Sequence, residues 1–175
     1  MEKERILFVG SSIIEQWNTC VEFPESINLG ISGQTTKEFI TKKIEKVANT
    51  KEIHNIVVYI GSNDIGKNRN PTEIIQNTIE ILIKLQKNFP KIKRIIYVAI
   101  MKSPSRTEIQ KKKIEKVNMK MREFSQKNEI IYCNVNRELS SLENYLADQT
   151  HLSNLGYSVL NNKIKRLINE YPTHF

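Results

Sequence analysis

Five short apolar runs recur along the chain, largely without alternation with polar residues. They are Arg5–Val9, Ser26–Leu29, Ile56–Ile60, Arg94–Ile100 and Ile130–Val135, rich in isoleucine and valine. A strand with one wet face alternates apolar and polar side chains. A strand without that alternation is covered on both faces, the condition of a parallel sheet between two helical layers. Helical patterns separate the runs at Thr36–Val47, Pro71–Asn88 and Glu108–Lys127, and a last one covers Asn154–Tyr171. Pro71 suits a first helical turn, Asn154 an N-cap, and Phe89-Pro90 a stop. Asn136–Ala147 is less regular and reads as a loop or short helix. The order β-α-β-α-β-α-β-α-β-α implies an α/β fold, a three-layer α/β/α sandwich of about five parallel strands joined by right-handed crossovers.

A chain of 175 residues fits one domain, taken as residues 1–175, and no repeat, low-complexity tract or linker divides it. The run Ile6–Val9 is too short for a signal-peptide core and no run reaches spanning length, so the protein reads as cytoplasmic with no transmembrane segment. Cys20 and Cys133 form no C-x-x-C and read as reduced, structural thiols. Two aspartates and three histidines leave little material for a metal site, so neither metal nor cofactor is expected.

Net charge is +8, from 27 basic and 19 acidic residues, and much of it lies in one stretch that includes Lys102, Arg106, Lys111, Lys116 and Lys127. Ile109, Ile114, Val117, Met121 and Phe124 recur through that stretch at helical intervals, which makes the lysines the wet side of an amphipathic helix. No aromatic residues interleave to stack bases, so no nucleic-acid partner is expected.

In open α/β sheets, sites form beyond the carboxyl ends of the strands. Three fragments fall there: Gly10-Ser11-Ser12, Gly30-Ile31-Ser32-Gly33 and Gly61-Ser62-Asn63-Asp64. A fourth, Asp148-Gln149-Thr150-His151, lies between the fifth strand and the last helix. Both aspartates of the chain, Asp64 and Asp148, sit inside fragments. Together the fragments supply what a serine hydrolase needs: a nucleophile, a base, a carboxylate that orients the base, and oxyanion donors.

Ser12, at a strand-to-helix turn, is the expected nucleophile, with Ser11 the other candidate. His151 is the expected base, because His54 precedes the third strand, at the wrong end of the sheet, and His174 nearly ends the chain. Asp148, three residues before His151, can hold the second ring nitrogen. The expected oxyanion donors are the backbone N–H of Ser12, that of Gly33, which a β-carbon would obstruct, and the side-chain amide of Asn63. Asp64 is expected to hold the Asn63 loop rather than act chemically.

These blocks resemble the SGNH hydrolases, also called GDSL-like lipases or esterases, whose serine, glycine, asparagine and histidine match Ser12, Gly33, Asn63 and His151, with Asp148 as the aspartate. Phe8-Val9-Gly10-Ser11-Ser12 with Trp17, Asn28-Leu29-Gly30, and Leu152, Ser153, Gly156 and Tyr157 after His151 extend the resemblance over nearly the whole chain. One departure is Ser11, where many members carry aspartate. The resemblance implies a flavodoxin-like fold and cofactor-free ester hydrolysis through an acyl-serine intermediate. The substrate it implies is a small-molecule ester with a short acyl chain, acetyl first, on a carbohydrate among other alcohols. An acyltransferase acting on a sugar hydroxyl, a lysophospholipase or thioesterase, and a non-catalytic binding module are the alternatives. Ser11, Lys67 and Arg69 are candidate substrate contacts, and the loop Met101–Pro104 a candidate border of the acyl pocket.

Overall fold

The computed structural model describes residues 4–39, 44–47 and 52–170. Five strands, β1 (Ile6–Gly10), β2 (Ile27–Gly30), β3 (Asn55–Tyr59), β4 (Arg94–Val98) and β5 (Ile131–Cys133), form one sheet in the order β2-β1-β3-β4-β5. Every pairing is parallel, and Phe8 lies between Asn28 and Val57 in the register. The helices are α1 (Ser12–Glu15), α2 (Thr19–Glu22), α3 (Ser62–Gly66), α4 (Pro71–Asn88), α5 (Glu108–Lys127) and α6 (Asn154–Glu170), with a 3-10 turn at Leu142–Asn144.

The expected spans of α4 and α5 match those observed, because each carries its own start signal. Asn70 accepts from Thr72 N–H ahead of Pro71, and Thr107 and Gln110 form a reciprocal capping box. The three short helices α1, α2 and α3 have no periodic pattern long enough to read. Of the helix expected over Thr36–Val47, residues 36–38 form a turn and 44–47 are helical; residues 40–43 lie outside the described residues, as does Tyr171 after α6.

Strand period two divides the core. Leu7, Val9, Ile56, Val58, Ile95 and Tyr97 pack on one side with Ile81, Leu85, Ile114 and Met121 of α4 and α5. Phe8, Val57, Tyr59, Ile96 and Val98 pack on the other with Ile13, Trp17, Leu160 and Ile164. Both faces of the three central strands β1, β3 and β4 are thus covered, which is why those strands read as nearly unbroken apolar runs. The edge strand β2 is only half-buried and carries Asn28. One expectation fails on α5, and one buried residue there was not foreseen. Ile109 is 70% exposed rather than in the core, while polar Asn118 is buried: its amide accepts from Ile100 N–H at 2.9 Å and donates to Ile100 O at 2.8 Å. Paired with both the N–H and the carbonyl of one residue, the Asn118 amide enters the core with its oxygen and nitrogen each hydrogen-bonded.

The chain leaves β1 for β2 on one side and crosses to β3 on the other. This reversal opens a crevice at the carboxyl ends of β1 and β3. Gly10 makes the close approach at that point: a β-carbon there would lie 1.9 Å from the Tyr59 carbonyl oxygen. The neighbouring Ser11 N–H donates to the same oxygen at 3.1 Å.

Candidate active site

Ser12 is the first residue of α1, so its backbone N–H has no intrahelical acceptor. Its hydroxyl lies 3.1 Å from His151 Nε2, across 139 positions of sequence. His151 Nδ1 lies 2.6 Å from Asp148 Oδ2, while Asp148 Oδ1 accepts from the N–H groups of Thr150 and His151 at 2.9 Å each. The hydrogen bond from the His151 side chain, then those from the two backbone groups, pull the Asp148 carboxyl down to about 2. An ionised carboxylate only accepts, so Nδ1 carries the proton and Nε2 is left to accept from the Ser12 hydroxyl.

The loop carrying this pair is braced by its own backbone. Tyr145 and Leu152 form an antiparallel bridge, Leu146 N–H donates to His151 O at 2.8 Å, and Gln149 turns the chain at φ +56°. The segment after β4 adds an outside brace: Ser105 N–H donates to Gln149 O at 3.2 Å, and the Ser105 and Thr150 hydroxyls are 2.8 Å apart. Met101 and Ser103 of the loop Met101–Pro104 are buried, and the Ser103 hydroxyl lies 3.2 Å from that of Ser105.

Asn63 Nδ2 donates one hydrogen to Gln34 O at 2.9 Å, next to Gly33, leaving its second hydrogen uncommitted. Among the described residues, neither Ser12 N–H nor Gly33 N–H has an acceptor. The reason expected for Gly33 does not hold: a β-carbon there would meet nothing within 4 Å, and it is the backbone, at φ +75°, that favours glycine. Asp64, fully buried, accepts from Thr36 N–H at 2.9 Å and Thr36 Oγ1–H at 2.8 Å, tying α3 to the segment after β2. His54 sits at the opposite edge, where its Nδ1 accepts from Arg5 N–H at 3.1 Å.

The candidate substrate contacts fare differently. Ser11 is 1% exposed and its hydroxyl has no partner among the described residues, so it is sealed from a ligand at the sheet edge. Lys67 lies 3.8 Å from Glu38, and Arg69 3.4 Å from Glu73. Each faces a carboxylate that an anionic ligand would have to displace.

Arg106 also departs from expectation. It precedes α5 instead of lying on its wet face, and its Nη2 donates to Ser62 O at 3.0 Å and Ser62 Oγ at 2.8 Å. The only sequence signal for this was its place in the connection after β4, at the edge where the fragments gather. No group of three or more His, Cys, Asp or Glu side chains among the described residues could hold a metal ion. No helix among them is long and apolar enough to cross a membrane.

The GDSL-like Lipase/Acylhydrolase family matches residues 8–159. No curated protein matches the chain. Among solved structures, a GDSL-like lipase from Bacteroides thetaiotaomicron VPI-5482 is 26% identical, with 97% of this chain and 89% of that one covered and a TM-score of 0.81. A lipase/acylhydrolase from Enterococcus faecalis is 17% identical, covering 98% and 99%, at TM-score 0.76. A carbohydrate esterase family 3 protein from Talaromyces cellulolyticus is 16% identical, covering 97% and 100%, at TM-score 0.71. The last two are likenesses of fold alone.

Proposed function

We propose, since the chain belongs to the GDSL-like lipase/acylhydrolase family and the chemistry of that family is hydrolysis of ester bonds, that it cleaves a short-chain ester, acetyl first, through an acyl-serine intermediate. Ser12 is the nucleophile, His151 the base and then the acid, and Asp148 the carboxylate that fixes the imidazole. The observation that carries this reading is the continuous contact from Ser12 Oγ to His151 Nε2 at 3.1 Å and from His151 Nδ1 to Asp148 Oδ2 at 2.6 Å.

In the first half-reaction Ser12 Oγ attacks the ester carbonyl as its proton passes to His151 Nε2. Negative charge then grows on the former carbonyl oxygen, where the Ser12 and Gly33 N–H groups and the Asn63 amide stabilise it. Asp148, ionised down to about 2, stabilises the imidazolium without taking its proton. Collapse breaks the bond to the alcohol oxygen, which leaves with the proton from His151. A water molecule repeats the sequence on the acyl-serine and releases the acid. The reading requires no cofactor or metal.

The substrate is a small-molecule ester, an acetylated carbohydrate foremost, handled in the cytoplasm by one domain over residues 1–175. Turnover of p-nitrophenyl esters from acetate to octanoate, wild type beside Ser12→Ala, tests all of this. The expected profile peaks at acetate and falls at least about a thousandfold in Ser12→Ala with the fold intact. A peak at octanoate would overturn the short-acyl assignment, and full activity in Ser12→Ala would remove the nucleophile. Transfer of the acyl group to an added sugar, in preference to water, would make the protein an acyltransferase.

A further inference from the structure

The connection from β4 to α5 touches both halves of the candidate site through adjacent residues. Ser105 reaches Thr150, the neighbour of His151, and Arg106 reaches Ser62, the neighbour of Asn63. The Arg106 contact is unusually complete. One guanidinium nitrogen donates to both the backbone carbonyl and the hydroxyl of Ser62, which fixes the peptide and the side chain together. Gln110 adds a longer bond, 3.4 Å, from its amide to Ile65 O.

The segment held in this way cannot hold itself. The helix α3 has five residues, too few for self-sustaining helical order, and it starts from Gly61 at φ +101°. Asn63 is its second residue, so any rotation of the Ser62 peptide swings the Asn63 amide away from its Gln34 anchor and the reacting carbonyl. Arg106 stays in place despite a cost: its Nε is buried with no partner among the described residues, and an orphaned donor in a charged group carries a desolvation penalty.

The geometry points to Arg106 as a positioning residue that sets the Asn63 amide for the oxyanion, a role that rests on the esterase reading of Ser12 and Asn63. It touches no reacting atom. Its effect passes through Ser62 to Asn63, so it belongs in kcat and depends on Asn63 being present.

A double-mutant cycle on p-nitrophenyl acetate, with Arg106→Ala, Asn63→Ala and the pair, separates this from a plain strut. In the otherwise wild-type enzyme Arg106→Ala loses about tenfold in kcat with KM within about twofold. In the Asn63→Ala background the same change costs less than about twofold, since the donor it would misplace is gone. Guanidinium chloride, far below denaturing concentration, restores part of the Arg106→Ala rate and none of the double variant's. Should circular dichroism show Arg106→Ala unfolded, Arg106→Lys carries the same cycle. Equal losses in both backgrounds would overturn the inference, as would an unchanged kcat in Arg106→Ala beside an active wild type. A wild type inert on every ester would instead remove the esterase reading, and this one with it.

Discussion

Asp64 and Asp148 are the chain's two aspartates, both at the edge where the strands end, and their surroundings are opposite. Asp64 is fully buried and accepts two hydrogen bonds from Thr36, yet desolvation outweighs them and pushes its carboxyl above the ordinary value. Asp148 is 49% exposed at its side chain, and three donors act on it with little desolvation, so its carboxyl falls to about 2. Well-made hydrogen bonds surround both. The difference is water: where it is excluded, the charged form is penalised whatever its partners, and where it has access, the donors prevail. Asp64 suits a fixed strut, and Asp148 suits a carboxylate that must stay charged beside an imidazolium.

If that contrast is right, removal of each carboxylate will give different signatures. Asp148→Asn keeps the shape but lets an amide hydrogen face the imidazole, reversing its tautomer. The expected loss in kcat is on the order of ten-thousandfold, with only a small loss of thermal stability from the lost charge. Steady-state kinetics with a melting curve checks this, and a loss under tenfold would remove Asp148 from its role of orienting the imidazole. Asn63→Ala, between the two aspartates in effect, costs about a hundredfold in kcat with little change in KM.

Asp64→Ala reads out in stability first. It orphans the Thr36 N–H and hydroxyl in a buried site and is expected to cost about 2 kcal/mol in urea unfolding. Its kcat falls far less than that of Asp148→Asn; the reverse ranking would break the comparison. The smallest effect is in titration. Followed by carboxyl carbon NMR, Asp64 should titrate above 3.8 and Asp148 near 2. The sign follows for each. The lowered value means that Asp148 stabilises its loop fully above 3.8, and that this is lost as pH falls through about 2. The raised value means that the Asp64 charge opposes folding at neutral pH, and that the penalty fades as pH falls through its folded value.

Much of this was legible in the sequence because the relevant signals are local. Long helices announce themselves through caps and period, so α4 and α5 match their expected limits. Strands buried on both faces announce themselves through missing alternation. Short helices such as α1 and α3 carry neither signal, and they are the elements that present Ser12 and Asn63. Ile109 was misread for a related reason. It fits the helical stripe, but it lies in the first turn of α5, where no layer covers it. The burial of Asn118 has no local signal at all, since its partner, the backbone of Ile100, is eighteen positions away.

The sequence by itself determined the alternating layers, the edge on which the glycine-containing turns collect, and the residue types available for chemistry there. Periodicity and turn preference act over a few residues, so they survive in the linear text. Only the tertiary structure decided which serine faces His151, that Ser11 is sealed, that Lys67 and Arg69 face carboxylates, and that Arg106 turns from solvent to Ser62. It also decided that two identical side chains, Asp64 and Asp148, shift in opposite directions. Those outcomes depend on burial and on partners brought together from distant positions, and neither exists until the chain has folded.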